Sequence, residues 1–161
     1  MHEPPVHEPP GYDCPFCRLQ QGLLNEHNQP ADVVGVTDLA FARISPRWWP
    51  ANPGAVLVVP RAHHENLYDL PRDVGHAVWD LTQQVAVAMR SSYDCAGIST
   101  RQHNEPAGGQ DVWHLHVHVF PRHEGDRLYE RHGENRWVSP GEREPYAARL
   151  AAALDLPRTF T

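Results

Sequence analysis

Cysteine is scarce in this chain of 161 residues, with only Cys14, Cys17 and Cys95 present. An odd, small number of cysteines does not build the disulfide framework of a small secreted protein. Positive charge is not in excess either, because the formal net charge is −6 with neutral histidines. General nucleic-acid binders normally carry a basic excess, so we expect no nucleic-acid partner.

Long apolar runs are also missing from the sequence. No stretch approaches the roughly 18 apolar residues of a membrane span. The amino terminus lacks the basic segment and apolar run of a signal peptide. We therefore expect no membrane association and a cytoplasmic location. The length suits one domain with a substantial core.

Histidine and proline are abundant, with 12 and 16 copies. The sequence His-Glu-Pro-Pro occurs twice, at His2–Pro5 and His7–Pro10. Such a density of proline favours an extended chain. We therefore predict a disordered tail over residues 1–12 and one folded domain over residues 13–161.

Apolar spacing divides the domain into helices and strands. A three-four spacing predicts a long helix from about Pro71 to Tyr93 and a final helix over Glu142 to Leu156. Short apolar runs predict strands at residues 33–36, 39–44, 55–59 and 96–103. Residues 45–54 indicate a loop, and residues 122–136 show no clear pattern. This order predicts an α+β domain with a mainly antiparallel sheet.

The segment from Val112 to Pro121 alternates histidine with apolar residues. This period of two predicts a strand with His114, His116 and His118 on one face. Residues two apart on a strand are about 6.6 Å apart, so the outer two histidines would be about 13 Å apart. One metal ion with bonds of about 2 Å cannot reach all three. At least one histidine therefore has another role.

Cys14 and Cys17 are spaced so that one turn brings both thiolates to the same metal ion. A redox pair would lie beside a βαβ unit, and no strand precedes these residues. A structural zinc needs two further ligands. The candidates are His63 or His64 and, at the end of the histidine strand, His114. The alternative is two packed or solvated cysteines without a metal.

The loop before the histidine strand contains Gly108-Gly109-Gln110. Glycines allow a close backbone approach and can present N–H groups to an anion. Gln110 can donate a hydrogen bond to a phosphate oxygen. Alone, such a loop is usually only a turn, but beside three histidines it indicates a phosphate site.

Together these residues resemble a known family. The signature of the histidine-triad (HIT) superfamily of nucleotide hydrolases and transferases is similar to Gly109-Gln110-x-Val112-x-His114-x-His116-x-His118-Val119-Phe120-Pro121-Arg122. Upstream family motifs resemble Ile44-Ser45-Pro46, Pro53-Gly54 and Pro60-Arg61-Ala62-His63. The Cys14 to Cys17 pair resembles the zinc-bearing branch. The resemblance covers about residues 14–125.

The resemblance implies a HIT-like catalytic domain, whose five-stranded sheets commonly join in a homodimer. It implies that His116 attacks the α-phosphorus of a nucleoside 5′-phosphate derivative and forms a covalent nucleotidyl-histidine. The substrate would be a dinucleoside polyphosphate or a nucleoside phosphoramidate. His118 and Gln110 would assist, and the backbone after Gly109 would hold phosphate oxygens.

The resemblance further implies a structural zinc held by Cys14, Cys17, His63 and His114. Other substrate contacts are expected at a set of residues beside the nucleotide, which are Phe41, Ile44 and Asn104. The sequence departs from the family pattern at Arg43, where many members have an acidic residue that contacts the ribose. It also departs at Asp111, where many have Ser or Thr.

Two other functions stay open. One is a nucleotide-binding sensor or partner-binding module with little turnover. The other is a metal-dependent hydrolase in which His114 and His116 chelate a catalytic ion. A sensor would release no nucleoside monophosphate from a nucleoside phosphoramidate, whereas an enzyme would. A metal-dependent hydrolase would lose activity on treatment with a chelator while its fold stays intact.

Overall fold

The computed structural model describes residues 3–161. Met1 and His2, at the start of the predicted tail, lie outside the described residues. Residues 3–12 form no helix or strand, but the backbone N–H groups of His7 and Glu8 donate to the Glu65 carboxylate. The tail therefore contacts the domain at this point. The division into a disordered tail and a domain stays a prediction.

Within residues 3–161 the chain forms seven strands and three α-helices. The strands are β1 (Val33–Val36), β2 (Ala40–Ile44), β3 (Arg47–Trp48), β4 (Val56–Pro60), β5 (Gly97–Gln102), β6 (Val117–Arg122) and β7 (Arg136–Trp137). The helices are α1 (Pro15–Gln20), α2 (Arg72–Ser92) and α3 (Pro140–Leu154). Five strands form one antiparallel sheet in the order β1-β2-β4-β6-β5. The predicted α+β fold, with a long helix and a carboxy-terminal helix, is confirmed.

One face of the sheet is covered by α2. Its stripe of buried side chains includes Val78, Leu81 and Val85, which belong to the same core cluster as Val58 and Val119 of the sheet. Burying such a stripe against a sheet is the main source of stability for an amphipathic helix. Within residues 3–161, no helix combines the length and the apolar character needed to cross a bilayer.

The histidine strand is shorter than predicted. β6 begins at Val117 rather than at Val112. Its neighbour β4 ends at Pro60, which has no N–H to donate to a ladder. The Leu115 N–H donates instead to the carbonyl of His64, at 2.6 Å. His114 and His116 therefore lie outside the ladder, on the segment that leads into β6, and this segment bends at residues 112–114.

The predicted loop over residues 45–54 contains the short strand β3. β3 pairs with β7, so that Arg47 lies opposite Trp137 and Trp48 opposite Arg136. Strands of two residues are too short to show a periodic pattern, which explains why the sequence indicated neither. Trp48 and Val138 pack into the core cluster that contains α2, whereas Trp137 lies on the side of the sheet that carries Leu57 and His118.

Arg43 points into a buried ionic network instead of the solvent. Its guanidinium and that of Arg143 both donate to the Asp32 carboxylate, over 3.2 and 2.8 Å respectively. Arg43 also donates to the side chain of Asn28. Burial lowers the pKa of Arg43 to about 10, and the Asp32 charge opposes this shift. The network joins the start of β1, β2 and α3, and removing one partner from such a network generally costs about 3–5 kcal/mol.

Candidate active site and candidate metal centre

Four side chains with metal-binding atoms meet beside α1. They are Cys14, Cys17, His63 and His114, and their donor atoms all lie within 4.8 Å of one another. His114 Nδ1 lies 3.2 Å from Cys14 Sγ and 3.0 Å from His63 Nδ1. Cys17 Sγ lies 3.5 Å from His63 Nδ1 and 3.7 Å from His114 Nδ1. A tetrahedral zinc ion with bonds of about 2.0–2.3 Å separates its ligand atoms by about 3.3–3.8 Å, so this donor set fits zinc.

The outer nitrogens of both histidines are held by the protein. His114 Nε2 lies 2.9 Å from the Pro60 carbonyl, and His63 Nε2 lies 2.6 Å from the Glu8 carboxylate. A proton on each Nε2 leaves the Nδ1 lone pairs facing the cluster. Histidine ligands of zinc in proteins are oriented in the same way, by donating their other N–H to a carbonyl or carboxylate oxygen. Burial lowers the pKa of His114 to about 3, so this imidazole is neutral.

A cavity of about 260 Å³ lies next to the cluster, and both His116 and His118 line it. His116 is buried, and its Nδ1 donates to the His114 carbonyl at 2.9 Å. The Nε2 lone pair is then available to the cavity. Burial lowers the pKa of His116. The ring is therefore neutral at pH 7 and can act as a nucleophile.

His118 lies beside His116, with the ring centroids 5.0 Å apart. It stacks on Phe120 at 5.4 Å and contacts the ring of His103 at 5.9 Å. Burial lowers the pKa of His118 well below its usual value, and the nearby His116 and Arg101 add to this shift. A neutral His118 can donate a hydrogen bond but does not carry a positive charge at pH 7.

The two sides of the cavity differ in chemistry. On one side of His118 lie Leu57 and the ring of Phe16, which packs against His116 at 5.3 Å. On the other side lie Arg101 and, further out, a set of aromatic and basic side chains, which are Trp49, His103 and His132. One end of the cavity therefore has an apolar wall of Phe16 and Leu57, next to the hydrogen-bonded side chains of Asn28 and Arg43, and we call it the apolar end. The other end carries the Arg101 cation.

The mouth of the cavity carries two stacked rings from distant parts of the chain. The rings of His27 and Trp137 lie 4.0 Å apart at an angle of 25°. The Arg47 guanidinium lies 5.2 Å from the Trp137 centroid and 3.4 Å from the Asp111 carboxylate. The Asp111 charge is thus balanced within the protein.

Some predicted site residues reach the cavity and others do not. Gly109 lines it with a φ of 93°, and a Cβ there would lie 3.0 Å from His103 Nδ1, so glycine is required. Gln110 is buried outside the lining. Its side chain bonds to the N–H of Glu105 and to the carbonyls of Glu65 and Val112. The amide of Gln110 therefore shapes the loop and has no hydrogen left for a phosphate.

The other three predicted substrate contacts lie away from the cavity. Phe41 and Ile44 are fully buried in the two apolar clusters of the protein. The Asn104 side chain accepts from the Leu67 N–H and contacts Gln102. The structure therefore does not bring these residues together with His116.

Sequence reasoning missed several residues that line the cavity. Those with an aromatic or basic side chain include Arg101, His103, His132 and Trp137. His132 falls in the segment that showed no pattern, residues 122–136, and Trp137 directly follows it. Arg101 lies directly opposite His118 in the β5–β6 register, and cross-strand neighbours share a face of the sheet. Arg101 could be assigned to the cavity only once the pairing of β5 with β6 was known, and the sequence does not give that pairing.

The HIT domain family matches this chain over residues 26–125. An uncharacterised HIT-like protein of Methanocaldococcus jannaschii is 34% identical over 132 residues, covering 80% of this chain and 94% of that protein. The chain belongs to the HIT family. A bifunctional bis(5′-adenosyl)-triphosphatase/adenylylsulfatase of Arabidopsis thaliana is 30% identical to this HIT protein over 105 residues, covering 65% of this chain and 56% of that enzyme.

A solved HIT structure supports the fold of this HIT protein. The zinc-bound histidine triad protein of Mycobacterium smegmatis matches it with a TM-score of 0.72 and 26% identity, covering 89% of this chain and 94% of that one. The resemblance and the fold predicted from the sequence are both confirmed. At the level of the family, nucleotide hydrolysis is supported as well.

Proposed function

We propose that this HIT protein cleaves a nucleoside 5′-phosphate derivative at its α-phosphorus through a covalent nucleotidyl-His116. The observation that carries the proposal is the His116 side chain. Its Nδ1 is engaged by the His114 carbonyl, and its neutral ring lines the cavity. The relative from Arabidopsis thaliana, a bis(5′-adenosyl)-triphosphatase/adenylylsulfatase, supports the proposal that the bond cleaved is one at the α-phosphorus.

The reaction takes two displacements at phosphorus. The His116 Nε2 lone pair forms a bond to the α-phosphorus, and the bond from phosphorus to the leaving group breaks with its electron pair on that group. Water then attacks the phosphorus, the P–N bond breaks, and a nucleoside monophosphate and a proton are released. Covalent catalysis lowers the barrier by dividing one hard displacement into two easier ones.

The surroundings of His116 stabilise the charge on the transferred phosphoryl group. His118 donates a hydrogen bond to a phosphoryl oxygen, which it can do as a neutral imidazole. The loop at Gly109 brings backbone close to the same group. The apolar end of the cavity, with Phe16 and Leu57, accommodates the nucleoside.

We also propose that Cys14, Cys17, His63 and His114 hold a zinc ion. Closed sites with four protein ligands are structural, and the ion would supply stability rather than a reaction step. It would join α1 to the loop after β4 and to the segment before β6. His116 stays outside this ligand set, which argues against a catalytic ion held by His114 and His116.

The proposed assembly is a homodimer in the cytoplasm. β5 is an edge strand of the sheet. On α2, Trp79 is 63% exposed and lies beside Thr100 and Gln102 of β5. An open edge beside an exposed apolar side chain suits the joining of two sheets. Sedimentation equilibrium is expected to give twice the chain mass of 18.2 kDa, and a monomer at high concentration would contradict the proposal.

A substrate panel tests the activity. We expect the purified protein to release nucleoside monophosphate from bis(5′-adenosyl) triphosphate, adenylyl sulfate or an adenosine phosphoramidate. Binding of AMP without any turnover across the panel would instead indicate a nucleotide sensor. Loss of turnover on chelation, with the fold unchanged by circular dichroism, would indicate a metal-dependent hydrolase.

A further inference from the structure

Arg101 is a cation without a partner in the cavity. Within residues 3–161 its guanidinium forms no ion pair and no hydrogen bond, and its Nε is fully shielded from solvent. The group lies over two aromatic rings instead, 4.9 Å from the centroid of Phe120 and 5.3 Å from that of Trp49. An arginine that has lost part of its hydration without gaining an acceptor is ready to bind an anion.

The other two arginines that line the cavity each have a carboxylate partner. Arg43 shares the buried Asp32 carboxylate with Arg143, and Arg47 lies 3.4 Å from Asp111. Asp111 is also the only carboxylate among the described residues that line the cavity. Among the described arginines that line the cavity, Arg101 is therefore the one whose guanidinium has no carboxylate partner.

The register of the sheet places Arg101 on the far side of His118 from the apolar end. A row of paired residues runs across β2, β4, β6 and β5, and it consists of Arg43, Leu57, His118 and Arg101. A nucleoside held against Leu57 and Phe16 directs the group beyond its α-phosphorus towards Arg101. That group is the one that leaves when His116 attacks.

We propose that Arg101 binds the oxyanion of the leaving group, so that this protein prefers nucleotidyl anhydrides of phosphate or sulfate to nucleoside phosphoramidates. This inference rests on the proposed function and goes further by naming the substrate class. In the first displacement the P–O bond to the leaving group breaks, and the electron pair moves to the leaving oxygen. The guanidinium donates two parallel N–H groups to the leaving oxyanion. A lysine ammonium would supply the charge without this two-point geometry.

The protonation of the site favours the same class. An amine leaves phosphorus only when it gains a proton, whereas a phosphate or sulfate leaves as a stable anion. Burial lowers the pKa of both His103 and His118, so neither carries a proton to donate at neutral pH without becoming an anion. The cavity therefore suits a leaving group that needs charge stabilisation rather than protonation.

The test replaces Arg101 and compares leaving groups. Arg101→Met keeps an unbranched stem over the two rings, and Arg101→Lys keeps the charge but loses the fork. The matched control is Arg149→Met, because Arg149 also lies over aromatic rings, those of Tyr93 and Tyr146, but outside the cavity. The substrates are bis(5′-adenosyl) triphosphate, adenylyl sulfate and an adenosine 5′-phosphoramidate of an alkylamine.

We expect Arg101→Met to lower kcat/KM for the anhydrides by about 10- to 100-fold, which is the size of one charged hydrogen-bonding contact. For the phosphoramidate we expect kcat/KM to fall by less than about threefold. Arg101→Lys should fall between, and Arg149→Met should match the wild type. The anhydride whose kcat/KM falls more shows whether Arg101 binds a phosphate or a sulfate leaving group. Equal losses for all three substrates, or none, would overturn the inference.

Binding keeps the two proposals apart. ADP carries a second phosphate beyond the α-phosphorus and AMP does not, so calorimetry with both nucleotides reports on Arg101 without turnover. Arg101→Met should weaken the binding of ADP by about tenfold or more and leave the affinity for AMP unchanged. If the wild type turns over no substrate but shows this difference, the proposed function fails and the role of Arg101 stands. An unchanged ADP affinity would sink the role of Arg101 alone.

Discussion

Replacing His116 by alanine is expected to lower turnover of the best substrate by more than about a thousandfold, because the step that forms the covalent intermediate is lost. The fold should survive, since the ring contributes to the wall of a cavity rather than to an apolar core. AMP should still bind for the same reason. Stopped assays of nucleoside monophosphate release provide the measurement.

The control for this variant is His76→Ala, which changes an exposed histidine on α2, away from the cavity. It should leave turnover unchanged. Mass spectrometry of a quenched wild-type reaction is expected to show one nucleotidyl group per active site, and His116→Ala should show none. Wild-type turnover in His116→Ala would exclude the covalent mechanism.

Removing the zinc site is expected to have the largest effect on stability. We expect about one zinc per chain in protein purified without a chelator. A ligand that binds only the folded state contributes about 4 kcal/mol when its free concentration is a thousand times its dissociation constant. Cys14→Ser should therefore lower the free energy of unfolding by several kcal/mol and cancel the stabilisation by added zinc. Urea unfolding with and without zinc measures both.

Cys95→Ser is the matched control, because Cys95 is as buried as Cys14 but lies in the core under α2. Loss of the helix cap does not explain a larger effect at Cys14. The thiol of Cys14 caps α1 by accepting the Cys17 N–H, and serine caps a helix at least as well. Protein without zinc, or equal destabilisation by the two substitutions, would count against the ligand assignment.

The sequence predicted the fold where a pattern is carried by many residues. The apolar spacing of α2 and the runs of β1, β2, β4 and β5 were found with ends shifted by at most one residue. These elements bury one continuous stripe or run, so the pattern is local and survives without tertiary information. The pair Cys14 and Cys17 was found for the same reason, since its geometry is set by a single turn.

The sequence also pointed to His116 and to the cluster around Cys14, but it overestimated other residues. Gln110 was expected to hold phosphate, and its amide is instead consumed by three backbone groups. Phe41 and Ile44 were expected beside the base and are core residues. A motif names residue types, whereas the hydrogen-bond partners of each side chain depend on loops that fold against it.

By itself, then, the sequence determined the class of fold, the histidine segment and the pair of thiols, because each is written in neighbouring residues. Only the tertiary structure decided what surrounds them. The register of β5 against β6 turned Arg101 towards His118, and the pairing of β3 with β7 placed Trp137 at the mouth. Both depend on contacts between residues far apart in the chain, whose energies no local pattern records.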